Sequence, residues 1–146
     1  IRRNIPLANL AGISTRGVVD RAREGAVARD YRKRINIRSP SVEQKTVNLS
    51  GGNQQKVVLA KWLATQPRLL ILDSPTVGVD VGARAGIFRI VRDLADQGLA
   101  ILLISDEVTE VLYNSDRVLH MAHGRLVGSY DPRTTSVQEL EAAIYA

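Results

Sequence analysis

Ser50-Gly51-Gly52 opens a run with helical apolar spacing, and each of its residues suits contact with an anion. The two glycines let backbone N–H groups approach a ligand closely and adopt conformations closed to other residues. A helix start adds unpaired N–H groups and the positive end of the helix dipole. Ser50 brings a hydroxyl that can cap the helix or bond a phosphate oxygen. The plain alternative is an ordinary capped helix start. A second candidate is Asp73, which ends the apolar run Leu69-Leu70-Ile71-Leu72. α/β proteins place ligand-handling groups at strand ends. A carboxylate there suits Mg²⁺, which keeps several waters and takes few protein ligands. The alternative is an Asp that caps the following turn.

These residues need elements to hold them. After Gly52 the spacing of Val57, Leu59, Ala60, Leu63 and Ala64 predicts a helix to about Gln66, with Pro67 stopping it. Trp62 falls on this helix and is expected to be packed. Leu69–Leu72 reads as a strand of the kind covered on both faces. Ala83–Gln97 has helical spacing through Ile87, Ile90, Val91 and Leu94, and Gly98 ends it. Leu99–Ile104 reads as a second apolar strand and Glu107–Asn114 as a short helix. Arg117–Met121 and Arg125–Tyr130 pair around a His123-Gly124 turn, and 136–145 closes as an amphipathic helix.

Toward the start of the chain, residues 1–12 read as a short apolar helix or turn. From about Arg16 to Arg34 a long helix is expected, with Val18, Val19, Ala22, Ala26 and Val27 along one side. Pro40 breaks it. Strands alternating with helices argue for an α/β fold with a mostly parallel sheet.

At 45% hydrophobic residues, the 146-residue chain can bury a core, as one domain or a fragment of a larger one. No apolar run reaches the roughly 20 residues that a bilayer span requires. The absence of Cys excludes disulfides and thiolate metal sites and fits a cytoplasmic protein. Residues 1–48 hold 11 Lys and Arg against 4 Asp and Glu, a net of +7, whereas residues 49–146 hold 9 against 11, a net of −2. Such asymmetry raises nucleic acid or an anionic surface as a partner. The plainer reading is a solvated, Arg-rich helical face, and 4% aromatic residues give little for base stacking. His120 and His123 have no Cys or carboxylate cluster beside them, so a turn role is preferred to a metal site. The chain starts at Ile1 rather than Met, which leads us to expect that an upstream segment has been removed.

Taken together, Leu49-Ser50-Gly51-Gly52-Asn53-Gln54-Gln55-Lys56 closely resembles the signature motif of ATP-binding cassette (ABC) ATPases. Leu69-Leu70-Ile71-Leu72-Asp73 resembles the Walker B strand. Thr76-Val77-Gly78-Val79-Asp80-Val81-Gly82-Ala83-Arg84 resembles the D-loop, which in this family touches a partner ATPase domain. A plainer role for Asp80 is a local helix cap. Asn53, where Gln is commoner, is similar to the second ATPase half of bacterial ribose, galactose and xylose importers. The likeness covers nearly the whole chain, including Ser115-Asp116-Arg117-Val118 and the turn at Gly124.

The resemblance implies a partial ABC ATPase core of the P-loop NTPase type, with residues 1–48 as the helical subdomain and 49–146 as the C-terminal part of the core. It implies ATP as ligand, bound by Ser50, Gly51, Gly52 and Gln54, with Mg²⁺ at Asp73 through water and Asp80 at the dimer contact. A second ABC ATPase domain, a membrane permease and, indirectly, a periplasmic sugar-binding protein are the implied partners. The implied location is cytoplasmic, peripheral on the inner face of the plasma membrane. Two positions depart from the family. Ser74 stands where a catalytic Glu is usual, and its hydroxyl cannot take a proton from water at neutral pH. Asp106 stands where a His faces the γ-phosphate, although as a helix cap it needs no such role. The sole Lys-Thr pair, Lys45-Thr46, follows Gln44, so these residues contain no phosphate-binding Walker A loop. Weak ATP binding and degenerate catalysis are therefore expected of the chain alone. The rival readings are a soluble ABC protein acting on ribosomes or nucleic acid, and a non-enzymatic regulatory remnant.

Overall fold

The structure is a computed structural model and describes residues 1–145. Two compact units make up the chain: residues 1–70 with 76–100, and residues 71–75 with the chain from Ile101 onward.

In the first unit, short 3-10 turns at Ile5–Asn9 and Ala11–Ile13 lead into a small antiparallel hairpin, β1 (Ser14–Thr15) and β2 (Val18–Val19). Arg16 and Gly17 turn the hairpin with φ of 51° and 80°. This corrects the expected helix start at Arg16. Two left-handed residues followed by two β-branched ones build a turn and a strand, and α1 spans only Arg21–Arg34. Asp20 caps α1 by accepting from the N–H groups of Ala22 and Arg23. Those bonds, Arg23's first, hold its carboxyl below the usual range.

The buried side of α1 also differs from the expected one. It carries Glu24, Gly25, Ala28 and Tyr31, while Val18, Ala22 and Ala26 are exposed. The side chain of Glu24 is 7% exposed and lies 3.2 Å from Arg2 Nε and 3.3 Å from Arg21 Nη1. Arg2 also reaches Glu43 at 2.8 Å. Arg23 pairs with Asp20 and Arg34 with Asp30. All four acidic residues of the first 48 are thus paired with arginines of the same unit.

α2 (Gly51–Leu63) buries Val57, Leu59, Ala60 and Leu63, as its spacing predicts. Tyr31 Oη donates to Leu63 O at 2.7 Å and ties α1 to the end of α2. Trp62 is not packed as expected but half exposed, with the Lys61 ammonium 4.9 Å from its ring centroid. It lies off the buried stripe that Leu59 and Leu63 define. α3 (Val81–Asp96) buries Ile87, Phe88, Val91 and Leu94. It ends in a Schellman arrangement: Gly98 N–H donates to Ala95 O, Leu99 N–H donates to Leu94 O, and Gly98 has φ 89°. Gly86, inside α3, has open space where a Cβ would stand. Gly86→Ala is therefore expected to stabilise the chain by about 0.5–1 kcal/mol, read as a higher urea midpoint.

β3 (Leu69–Asp73) and β4 (Ala100–Ile104) form a parallel pair, joined through α3, the kind of crossover that parallel strands require. The expected cover on both faces is found on one only. Leu70 and Leu72 are buried, while Leu69, Ile71, Leu102 and Ile104 are exposed in the described chain. Strict alternation of side chains along a strand produces this split.

In the second unit, Val108, Leu112, Val118 and Leu140 form a small core against Val111, Tyr130 and Val137. α4 (Val108–Asn114) and α5 (Val137–Tyr145) flank the antiparallel hairpin of β5 (Val118–Ala122) and β6 (Arg125–Tyr130). His123 and Gly124 turn this hairpin with φ of 48° and 74°, the predicted two-residue turn. Ser136 and Glu139 cap α5 reciprocally, through Ser136 N–H to Glu139 Oε2 at 2.7 Å and Glu139 N–H to Ser136 Oγ at 3.2 Å. No helix among the described residues is long and apolar enough to cross a membrane.

Candidate functional site

The first unit brings the start of α2 and the glycine-rich loop before α3 into contact. Ser50 takes the extended conformation that precedes a helix, and its carbonyl accepts from the N–H groups of Asn53 and Gln54, each at 2.9 Å. Its hydroxyl makes no cap bond. Instead, Ser50 Oγ accepts from Asn53 Nδ2 at 2.9 Å, and Asn53 Oδ1 accepts from the Arg38 N–H at 2.8 Å. Gln54 turns back, its Nε2 donating to Leu49 O at 2.9 Å. Lys56 reaches Asn36 O at 3.0 Å; partial burial, with Arg38 nearby, lowers its pKa from the usual lysine value.

The glycines have a use that sequence reasoning missed. A Cβ on Gly51 would stand 2.8 Å from Gly78 O, and one on Gly52 would stand 2.9 Å from Ala83 Cβ. The loop therefore packs directly on the first turn of α2, and glycine is needed for this contact within the chain as well as for any ligand. The second glycine-rich stretch, Gly78 to Gly82, is the one signal of this contact in the sequence. The loop is held by Val79 N–H to Thr76 O at 3.0 Å and by Arg84 Nε to Val79 O at 3.3 Å. Asp80 precedes α3, is exposed and makes no side-chain cap bond, so its alternative reading as a local cap is not realised.

In the second unit, Asp73 ends β3 with an exposed carboxylate, and Ser74 Oγ donates to its Oδ1 at 3.1 Å. Ser74 has φ 47°, and its N–H donates to Ile104 O at 2.8 Å, which fixes the turn out of the strand. The alternative reading of Asp106 as a helix cap is corrected. α4 starts one residue too late for it, with Glu107 as N-cap residue. The local bonds belong to Ser105, whose Oγ accepts from Glu107 N–H at 3.1 Å and donates to Glu110 Oε2 at 2.8 Å. Asp106 is exposed. Among the described residues no group of three or more His, Asp or Glu could hold a metal ion. Asp73 alone at a strand end fits a hard cation that arrives with a phosphate ligand, since Mg²⁺ uses one or two carboxylates and keeps its waters.

The first unit's glycine-initiated helix with a glycine-rich loop packed on it, and the second unit's strand ending in an acid, are elements that ABC cassettes also have, and the chain belongs to the ABC transporter ATPase family. The family's profile, described as "ABC transporter", matches residues 7–77. The chain is 42% identical to the ribose import ATP-binding protein RbsA 1 of Rhizobium meliloti, over 98% of this chain and 28% of that protein. It is 46% identical to the xylose import ATP-binding protein XylG of Geobacillus kaustophilus, over 95% of this chain and 27% of that protein. The chain thus spans about a quarter of the length of the curated relatives it matches. Among solved structures it shares its fold with an inward-facing putative metal-chelate type ABC transporter, with a TM-score of 0.81 at 18% identity over 99% of this chain and 58% of that one. A dimeric bacterial ABC transporter cassette gives 0.67 at 21% identity over 83% and 52%.

Proposed function

We propose that the chain is the signature-bearing part of the ATP-binding subunit of a carbohydrate ABC importer. In this role Ser50, Gly51 and Gly52 meet the phosphates of an ATP held mainly by a second cassette. Asp80, in the adjoining loop, meets that cassette. The observation that carries the reading is the start of α2. Its Ser50 hydroxyl is not spent on capping, and the D-loop stretch is seated against its glycines. The sugar relatives supply the substrate class: ribose and xylose appear in the names of proteins that match nearly the whole of this chain. Residues 1–48 then serve as the helical subdomain that faces a permease and residues 49–146 as the later part of the core. A periplasmic sugar-binding protein is an indirect partner, and the location is the inner face of the membrane. Gln54 supports the site through the Leu49 carbonyl.

Asp73 would hold Mg²⁺ in this reading, and the ion would supply charge neutralisation for the phosphates when bound. Ser74 and Asp106 occupy the positions of the usual catalytic Glu and His. Ser74 donates to Asp73 instead of accepting a proton from water, so hydrolysis at this site is slow.

Two titrations test the reading. Isothermal titration of the chain with Mg-ATP alone is expected to give no micromolar binding, because the main phosphate grip is supplied by other residues. Adding a cassette that carries a phosphate-binding loop is expected to produce Mg-ATP-dependent association, which Ser50→Ala weakens. Micromolar affinity for Mg-ATP alone, or association indifferent to Mg-ATP, would overturn the proposal.

A further inference from the structure

We propose that Asn53 sets the direction of the Ser50 hydroxyl, so that Ser50 meets its ligand as a hydrogen-bond donor. The inference rests on the reading that Ser50 meets a nucleotide phosphate, and it concerns how that contact is prepared. Two bonds define the arrangement: Asn53 Nδ2 donates to Ser50 Oγ at 2.9 Å, and Asn53 Oδ1 accepts from the Arg38 N–H at 2.8 Å. The second bond fixes the first. A side-chain amide has nearly the same shape when its oxygen and nitrogen are exchanged, and only its partners decide between the two orientations. Exchange here would set the amide NH₂ against the Arg38 N–H, donor against donor. The backbone of Arg38 therefore turns the amide nitrogen toward Ser50.

That backbone is itself anchored. Ile35 and Ile37 are buried, and Lys56 donates to Asn36 O at 3.0 Å. A serine hydroxyl has one hydrogen and two acceptor lone pairs. With one lone pair taken by Asn53, the hydrogen points elsewhere, and no acceptor in the described chain receives it. The result is an exposed, oriented donor at the positive end of α2. It selects a ligand atom that can only accept, as a phosphate oxygen does. Asn at this position has the reach to bond the side chain three residues before it.

A double-mutant cycle on the whole chain decides the point. The measurement is the Kd for association with a cassette that carries a phosphate-binding loop and is loaded with Mg-ATP. Ser50→Ala and Asn53→Ala are each expected to weaken association by about tenfold, the value of one hydrogen bond to a charged acceptor. The double variant is expected to lie within about twofold of Ser50→Ala, because Asn53 acts through Ser50. A cost for Asn53→Ala that is the same with and without Ser50 would overturn the inference and leave Asn53 as a brace for Arg38, with the nucleotide reading intact. No effect from Ser50→Ala would remove the nucleotide reading and this inference with it. Should Asn53→Ala fail to fold, Asn53→Asp takes its place in the cycle. Its carboxylate keeps the acceptor for Arg38 but draws the Ser50 hydrogen onto itself, and the charge it adds is separated out by the Ser50→Ala background.

Discussion

Ser74→Glu is expected to raise ATP turnover by about 10²–10⁴-fold, the usual worth of a positioned general base. The measurement belongs in a full-length polypeptide that also carries a phosphate-binding loop, with phosphate release followed at saturating Mg-ATP. The backbone does not oppose the change. Ser74 already holds φ 47°, a conformation that Ser and Glu adopt at similar cost, and its N–H bond to Ile104 O involves no side chain. What is lost is the donation from Ser74 Oγ to Asp73 Oδ1, worth about 1 kcal/mol. What is gained is a carboxylate beside another carboxylate, an arrangement that raises one of the two pKa values and makes a better proton acceptor near neutral pH. An unchanged rate in a variant that still binds Mg-ATP would move the attacking water away from residue 74 and favour the non-enzymatic reading.

Gly51→Ala is expected to cost about 1–3 kcal/mol of stability, because the new methyl would stand against a backbone carbonyl with no flexible end to yield. That carbonyl belongs to Gly78, 2.8 Å from the ideal Cβ position. The loop holding Asp80 must shift for the methyl to fit. The same substitution is therefore expected to weaken Mg-ATP-dependent association by about tenfold or more, beyond what the stability loss explains. Thermal melting and the association assay together check this, with Gly86→Ala as the control whose added methyl meets nothing. A Gly51→Ala protein as stable and as well associated as the original would show that the loop does not rest on α2 in solution.

The readable parts of the fold were those where a local rule and the core agree. The stripe of Val57, Leu59, Ala60 and Leu63, the stop at Gly98 and the His123-Gly124 turn follow from period, cap and turn chemistry. The α1 region failed for a definite reason. Alanines and valines are compatible with a helix, and their helical spacing masks the left-handed Arg16-Gly17 turn and the Asp20 cap. The buried face then went to Glu24, Ala28 and Tyr31, because the arginines around Glu24 neutralise it and Tyr31 Oη finds the Leu63 carbonyl. Trp62 failed similarly, since its size argued for burial while its place on the helix put it outside.

The order of the motifs, the lack of a phosphate-binding loop among these residues, and the presence of Ser74 and Asp106 just after the two apolar strands are properties of the sequence by itself. They are identities at fixed spacings, and no folding alters them. Tertiary structure alone decided what those identities touch. Whether Gly51 serves a ligand or a neighbouring loop depends on which backbone passes within 3 Å of it, and that backbone comes from residue 78. Whether the Ser50 hydroxyl caps its own helix or is left to donate depends on Asn53, and Asn53 depends on an N–H from residue 38. Contacts between residues far apart in the chain are absent from local pattern because they follow from packing, and in this chain packing fixes the chemistry of the motif.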